Sequence, residues 1–359
     1  MGRHYGPAIR DGLYLRHPLT LRPSDHKRGS EGMKAAWYER NGPAREVLIV
    51  GEQPDPQPAK GEVRVRLATS GVNPSDWKAR MGVRPMLAPM VIPHSDGAGV
   101  IDAVGEGVSP QRIGQRVWVW NGQWKRVLGT AATLITLPEE QAVALPDATS
   151  FAAGACFGIP ALTAYRAVTV DGSVKGQSVL VMGGAGSVGH YAIQCARLLG
   201  ARQIIATVSS PEKAERAKKA GADLVINYRT QDVVAEVLAA TGNLGVDRVV
   251  EVDAAGHAGI LPKLVRQDGL CVVYGTNTPQ VTYDFVPMIM SGVAVRFFIV
   301  YELAREPRRE AIATLTGWLE QGLLQHQIAA EFPLADIALA HEAVESGKLI
   351  GNVVISLPA

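Results

Sequence analysis

Hydrophobic positions follow two different regimes along the chain. Between about 151 and 300, short apolar runs alternate with stretches whose apolar residues recur at helical spacing. Ser178-Val179-Leu180-Val181, Ile204-Ile205-Ala206-Thr207-Val208, Leu224-Val225-Ile226-Asn227, Arg248-Val249-Val250-Glu251-Val252 and Leu270-Cys271-Val272-Val273-Tyr274 have the length and β-branched content of buried parallel strands. Helical spacing predicts helices from Val188 (Ala192, Ile193, Ala196, Leu199), over Glu212 to Ala220, from about Asp232 to Ala240, and near Ala258 to Arg266. Strand and helix in turn imply a doubly wound parallel sheet with right-handed crossovers, to which Val293 to Val300 adds an edge strand.

From 33 to about 150 the pattern changes to short β-rich runs separated by Gly and Pro. Val47 to Val50, Glu62 to Ala68, Gly99 to Val104 and Arg116 to Trp120 are the candidate strands, and helices are scarce, which predicts a small β-barrel-like domain. Pro54, Pro56 and Pro58 read as a stiff exposed connection. The last stretch carries a helix from Pro307 to Gln321, a strand from Ile328 to Phe332, a helix from Ala335 to Glu345 and a closing strand from Val353 to Ser356. That terminal strand is expected to complete the first domain's sheet, making the domain discontinuous. Residues 1–32 are basic, rich in Gly, Pro and His and without period; they read as a disordered extension. Asp11, Asp25 and Glu31 interrupt the arginines and argue against a transit peptide.

One junction carries a specific chemistry. The strand Ser178 to Val181 runs into Gly184-x-Gly186-x-x-Gly189 and a helix follows at once, the setting in which this motif binds a dinucleotide. Gly184 is expected to permit the tight turn, Gly186 to let a pyrophosphate approach the backbone, and Gly189 to let helix and strand pack closely. Ala185, Ser187 and Val188 complete the loop, and the helix start offers free N–H groups with roughly half a positive charge. A carboxylate holding the ribose 2′-hydroxyl would stand at the end of the second strand. Here Val208-Ser209-Ser210 occupies that place, with Lys213 one turn on and Tyr228 and Arg229 after the third strand. Two hydroxyls and a cation suit a 2′-phosphate, so NADPH is the expected coenzyme. Ser209 or Ser210 is also a candidate cap for the helix that Pro211 opens.

Composition adds mainly exclusions. The 359 residues carry a formal net charge of only +2 and are 47% hydrophobic, giving no electrostatic reason to expect nucleic acid or an anionic membrane. The greasiest stretch, Phe285 to Val300, is broken by Pro287, Gly292 and Arg296 and reads as soluble core rather than a span. Cys156, Cys195 and Cys271 form neither a CxxC pair nor a disulfide framework, which suits a reducing cytoplasm.

Several segments together resemble the medium-chain dehydrogenase/reductase superfamily, and within it the zinc-free NADPH:quinone oxidoreductases. They are Ala68 to Trp77, Pro93 to Val100, Gly183 to Gly189, Thr207 to Lys213, Val225 to Arg229 and His341 to Gly347, spanning essentially all of 33–359. The resemblance implies a GroES-like β-barrel catalytic domain (33–156 and 301–359) around a Rossmann domain (157–300), the active site in the cleft between them, and a homodimer joined through the coenzyme domain's edge. Where zinc dehydrogenases of this superfamily hold metal, this chain looks to have Asn73, Ser95 followed by Asp96, and Ile159, a poor zinc set. His94 reads as an ordinary loop residue.

Without a metal, the alkoxide formed by hydride transfer to an aldehyde, whose conjugate acid has a pKa near that of water at about 16, is badly placed. A quinone leaves a phenolate, whose conjugate acid resembles tyrosine at about 10, and an enone spreads charge as an enolate. The expected activity is therefore NADPH-dependent reduction of quinones; the alternatives are enone or 2-alkenal carbon–carbon double-bond reduction and a non-enzymatic NADPH-binding sensor. Family resemblance places Asn73 in the cleft as the candidate catalytic donor, though an Asx turn before Pro74 accounts for it equally well. Trp77, Phe298 and Tyr301 are expected to border the acceptor. Thr163 and Tyr165 resemble the segment beneath the nicotinamide, and Tyr274 ends the last strand of the series on the coenzyme side.

Overall fold

The computed structural model describes residues 32–358. The extension call on 1–32 therefore lies, save for Gly32, outside the described residues.

The first strands are β1 (Met33–Trp37), β2 (Ile49–Gln53), β3 (Glu62–Val72), β4 (Asp96–Val104), β5 (Arg116–Val119), β6 (Leu134–Pro138) and β7 (Ala142–Ala144). Val47 and Leu48, expected to open a strand, instead close the short helix Ala44–Val47 and lead into β2, because Pro43 with its fixed φ starts a helical turn there. Then come β8 (Ser178–Val181), β9 (Gln203–Val208), β10 (Leu224–Asn227), β11 (Val246–Glu251), β12 (Val265–Val273), β13 (Ala294–Phe297), β14 (Ile328–Pro333) and β15 (Asn352–Ser356).

Two sheets carry the architecture. One is six-stranded, in the order β10-β9-β8-β11-β12-β13, and every pair in it is parallel. Chain order reverses between β8 and β11, so the carboxyl ends of these strands open a crevice at that switch point. The other is seven-stranded, in the order β14-β15-β3-β4-β5-β7 with β6 also on β3. Its terminal strand β15 pairs antiparallel with β3, Val353 opposite Val72 and Ser356 opposite Thr69. The chain thus leaves this sheet, builds the parallel one and returns.

The helix expected near Ala258 to Arg266 is only two short turns, Ala254–His257 and Leu261–Leu264, and Val265 already begins β12. Gly259 and Pro262 break the run into turns.

A continuous apolar cluster joins the two sheets. Trp118 of β5 packs on Phe157 with ring centroids 5.7 Å apart, and Phe157 meets Tyr191 of the Ser187–Leu198 helix edge-on at 5.8 Å. Phe157 is fully buried, which contributes roughly 1.5–3 kcal/mol and ties the walls of the cleft together. Burial fails where it was expected along Phe285 to Val300. On the Phe285–Ser291 helix Phe285 is 73% exposed and Met290 72%, and β13 is the edge strand, paired on one side only, with β12. All three cysteines are free and buried. Among the described residues no helix is long and apolar enough to cross a membrane.

Candidate functional site

β8 delivers the chain into the glycine turn. Gly183, with φ of 70°, is the residue that takes the left-handed conformation there. Its N–H donates to Thr207 Oγ1 at 3.0 Å, and the next N–H donates to the Thr207 carbonyl at 2.9 Å, fastening the turn to β9. Gly184 lies in the turn without taking the left-handed conformation. It faces inward, where a Cβ would stand 2.7 Å from Ala206 Cβ and 3.0 Å from Ile193 Cδ1. Gly184 is therefore a close-packing glycine and lines no part of the cavity. A Cβ on Gly189 would overlap the carbonyl of Gly183, so this glycine brings helix and turn into contact. Gly186 is the N-cap of the Ser187–Leu198 helix, and no side chain caps its first-turn N–H groups. They remain as donors for an anion.

A cavity of about 570 Å³ extends from this turn along the carboxyl ends of the parallel strands. Ala185, Gly186, Ser187, Val188 and Gly189 form its floor. At one end stand Ser209, Lys213 and Tyr228, with Lys213 Nζ donating to Ser209 Oγ at 3.0 Å. Ser210 is not part of the lining. Its Oγ accepts the Lys213 backbone N–H at 3.3 Å and caps the Pro211–Ala220 helix, turning its hydroxyl away from the cavity. No Asp or Glu is among the residues that line this space.

The other end brings together Asn73, Thr163, Tyr274, Phe298 and Tyr301. Thr163 lies on the Leu162–Thr169 helix, whose Tyr165 points instead into the core and donates to Glu310 at 3.1 Å. Tyr301 is 7% exposed; its hydroxyl donates to Ser75 Oγ at 2.9 Å, and Trp124 stacks on its ring at 4.3 Å. Burial pushes the Tyr301 and Tyr274 hydroxyls up from their ordinary pKa, so both stay protonated.

Trp77 does not line the cavity. On the Pro74–Arg80 helix, Pro74, Ser75 and Lys78 share the inward arc, while the position of Trp77 falls outside it at about 100° per residue. Ser75, Lys78, Val252 and Thr276 were not singled out from sequence. Helical spacing from Pro74 would have found Lys78, whereas Val252 and Thr276 carry no local signal.

Asn73 is held firmly. Its backbone N–H donates to Asp76 Oδ2 at 2.7 Å, and its Nδ2 donates to Asp96 Oδ2 at 2.8 Å. The N–H of Ile159 reaches the same Asp96 oxygen at 3.0 Å, while Asp96 Oδ1 is buried without a partner. Burial, with the Asp76 carboxyl nearby adding to it, raises the Asp96 carboxyl well above the usual range, and burial lifts Asp76 to about 7. The amide orientation of Asn73 follows from this network: one Nδ2 hydrogen faces Asp96, and Asn73 with Asp76 forms the capping box that opens the Pro74–Arg80 helix, so the local cap expected before Pro74 is present.

Asn73 and Ile159, two of the places the resemblance assigned to metal ligands, thus meet at Asp96, and the third, Ser95, precedes it in the chain. The groups at these places are a carboxamide, a hydroxyl and a hydrocarbon, which do not fit zinc. Among the described residues no group of three or more His, Cys, Asp or Glu side chains is placed to hold a metal ion. His94 is a loop residue, as expected, but fully buried and in the left-handed region with φ of 75°. Its Nε2 meets His341 Nε2 at 2.8 Å and its Nδ1 meets Ser70 Oγ at 2.8 Å.

Residues 187–317 match the family model described as zinc-binding dehydrogenase, and residues 59–147 that of the alcohol dehydrogenase GroES-like domain. A human quinone oxidoreductase is 31% identical over 298 residues, covering 82% of this chain and 88% of the relative. Among solved structures, an NAD-dependent alcohol dehydrogenase superposes with a TM-score of 0.83 at 29% identity, covering 91% of this chain and 100% of its own. A mycobacterial protein solved with NADPH gives a TM-score of 0.79 at 28% identity, covering 90% of this chain and 100% of its own.

Proposed function

The chain belongs to the medium-chain dehydrogenase/reductase superfamily, in its quinone oxidoreductase family, and from that premise we propose that this oxidoreductase passes hydride from NADPH to quinones without a metal. The observation that carries the reading is the cleft itself: an anion-binding turn and a cationic ribose end lead to a site whose polar groups are hydrogen-bonding side chains and one lysine, Lys78, rather than metal ligands.

NADPH is supported over NADH by Ser209 and Lys213 at the end of β9, where a carboxylate would repel a 2′-phosphate. The two solved relatives differ in coenzyme by their own descriptions, so the preference for NADPH rests on the residues of this chain. In this reading Ala185 to Gly189 take the pyrophosphate on backbone N–H groups, Tyr228 borders the adenosine, and Thr163, Tyr274 and Phe298 border the nicotinamide. The bound reduced coenzyme supplies the hydride. Asn73, braced by Asp96, presents its carboxamide to the acceptor oxygen, and Tyr301, fixed by Ser75 and Trp124, walls the acceptor and excludes water. Such hydrogen bonds suffice for an acceptor whose reduced oxygen is an acid of pKa about 10.

The functional unit in this reading is a homodimer. The free edge of β13 and the apolar Phe285–Ser291 helix beside it form one exposed surface, which an edge-to-edge pairing of two copies would bury. Free buried cysteines fit a reducing cytoplasm.

The test is oxidation of NADPH by 1,4-benzoquinone and 9,10-phenanthrenequinone beside an enone. Turnover of the quinones supports the proposal; faster reduction of the enone assigns double-bond reduction instead, and absence of turnover with either refutes both.

A further inference from the structure

The cavity holds two lysines and no carboxylate, and only one lysine is accounted for. Lys213 stands at the ribose end. Lys78 stands at the other, on the inward arc of the Pro74–Arg80 helix beside Ser75, and its Nζ reaches the Thr276 carbonyl just past β12 at a long 3.4 Å. Its remaining neighbour of note is the ring of Trp77, 5.7 Å from Nζ, so the ammonium has no acidic partner among the described residues.

A second cation, in no ion pair among the described residues but within electrostatic reach of the buried Asp76 carboxyl, stands beside the aromatic wall of the same end. The Arg84 guanidinium lies 4.8 Å from the ring centroid of Trp124 and 5.8 Å from that of Tyr301, the stacked pair whose tyrosine lines the cavity. Glu302, the acid nearest this stack in its bonding, is already held by Lys125 at 2.7 Å and by Trp124 Nε1 at 2.7 Å. An uncharged quinone makes no use of either cation.

We propose that Lys78 and Arg84 select conjugated carbonyl acceptors bearing an anionic substituent, a carboxylate or a sulfonate. This rests on the quinone-reductase reading and names the substrate class of that site. Lys78 pairs with the substituent once the planar part of the acceptor lies against Tyr301. Arg84, fixed on the aromatic stack, draws the anion towards the cleft.

The test compares 1,2-naphthoquinone with its 4-sulfonate, using the NADPH-loaded enzyme and its Lys78→Met and Arg84→Met variants. The neutral quinone controls for ring size. Lys78→Met is expected to lower kcat/KM for the sulfonate about tenfold more than for the neutral quinone, chiefly through KM, and Arg84→Met to act in the same direction with a smaller factor. Added salt is expected to depress the sulfonate rate selectively. Equal losses on both quinones overturn the proposal. So does a rise in the NADPH dissociation constant of Lys78→Met with the acceptor ratio unchanged, which would assign Lys78 to the coenzyme. If wild type turns over neither quinone, the underlying reductase reading fails and this one with it; if it turns over both and the variants keep the wild-type ratio, only the selectivity is lost.

Discussion

Replacing Lys213 by alanine isolates the coenzyme assignment. The side chain donates to Ser209 Oγ at 3.0 Å, whereas the helix cap uses the backbone N–H of the same residue, bonded to Ser210 Oγ at 3.3 Å. Alanine keeps that backbone donor and is the best helix former, so the Pro211–Ala220 helix should persist. What is lost is one charge-assisted bond to the 2′-phosphate, about 1.5–3 kcal/mol. At about 1.4 kcal/mol per factor of ten, the NADPH dissociation constant should rise roughly 10- to 150-fold. The lower part of that range is expected at physiological salt, because the ammonium is only partly buried. NADH lacks the phosphate and should lose no more than about twofold. Calorimetric titration of both coenzymes, with thermal melting as a control for folding, provides the measurement. Equal weakening of NADPH and NADH, with an unchanged melting temperature, would refute the assignment of Lys213 to the phosphate.

Three further outcomes follow from the packing and the titrations. Gly189→Ala drives a Cβ into the Gly183 carbonyl, so coenzyme affinity and melting temperature should fall together; a variant that binds NADPH like wild type contradicts the close approach. Arg248, 2% exposed on β11, donates to the carbonyls of Val168 and Val170 at 2.8 Å and of Gly172 at 3.1 Å beyond the Leu162–Thr169 helix. Arg248→Met strips the buried Val168 and Val170 carbonyls at about 1–3 kcal/mol each, and a urea midpoint equal to wild type would rule the capping role out. Asp76 is held at about 7 by burial, against about 3.9 in an unfolded chain, so the native state keeps a proton the unfolded state releases. Stability should therefore fall as pH rises from about 4 towards 7, and Asp76→Asn should be more stable than wild type at about pH 8 with the gap closing towards about pH 4. A gap independent of pH would remove Asp76 as its source.

Much of the fold was legible because its signals are local. The alternation of apolar strands with helical spacing from Ser178 to Tyr274 is a property of neighbouring residues, and the parallel sheet follows from it. The missing carboxylate after β9 is equally local, since the end of a strand is a fixed place in the fold. What only the tertiary structure decided depends on contacts between distant residues or on the phase of an element. Gly183 takes the left-handed conformation, whereas Gly184 is the glycine that Ala206 of β9 and Ile193 of the following helix leave no room to replace. Trp77 falls outside the cavity and Lys78 inside it by a single step of helical phase, which an isolated run of residues does not reveal. Asn73 owes its orientation to Asp96, and Asp96 sits behind it only because β4 pairs with β3, Asp96 opposite Gly71. The apolar Phe285 to Met290 run has the composition of core, yet the edge position of β13 leaves it facing outward. Hydrophobicity specifies that a surface is to be buried, whereas the order of strands in the sheet determines what is there to bury it.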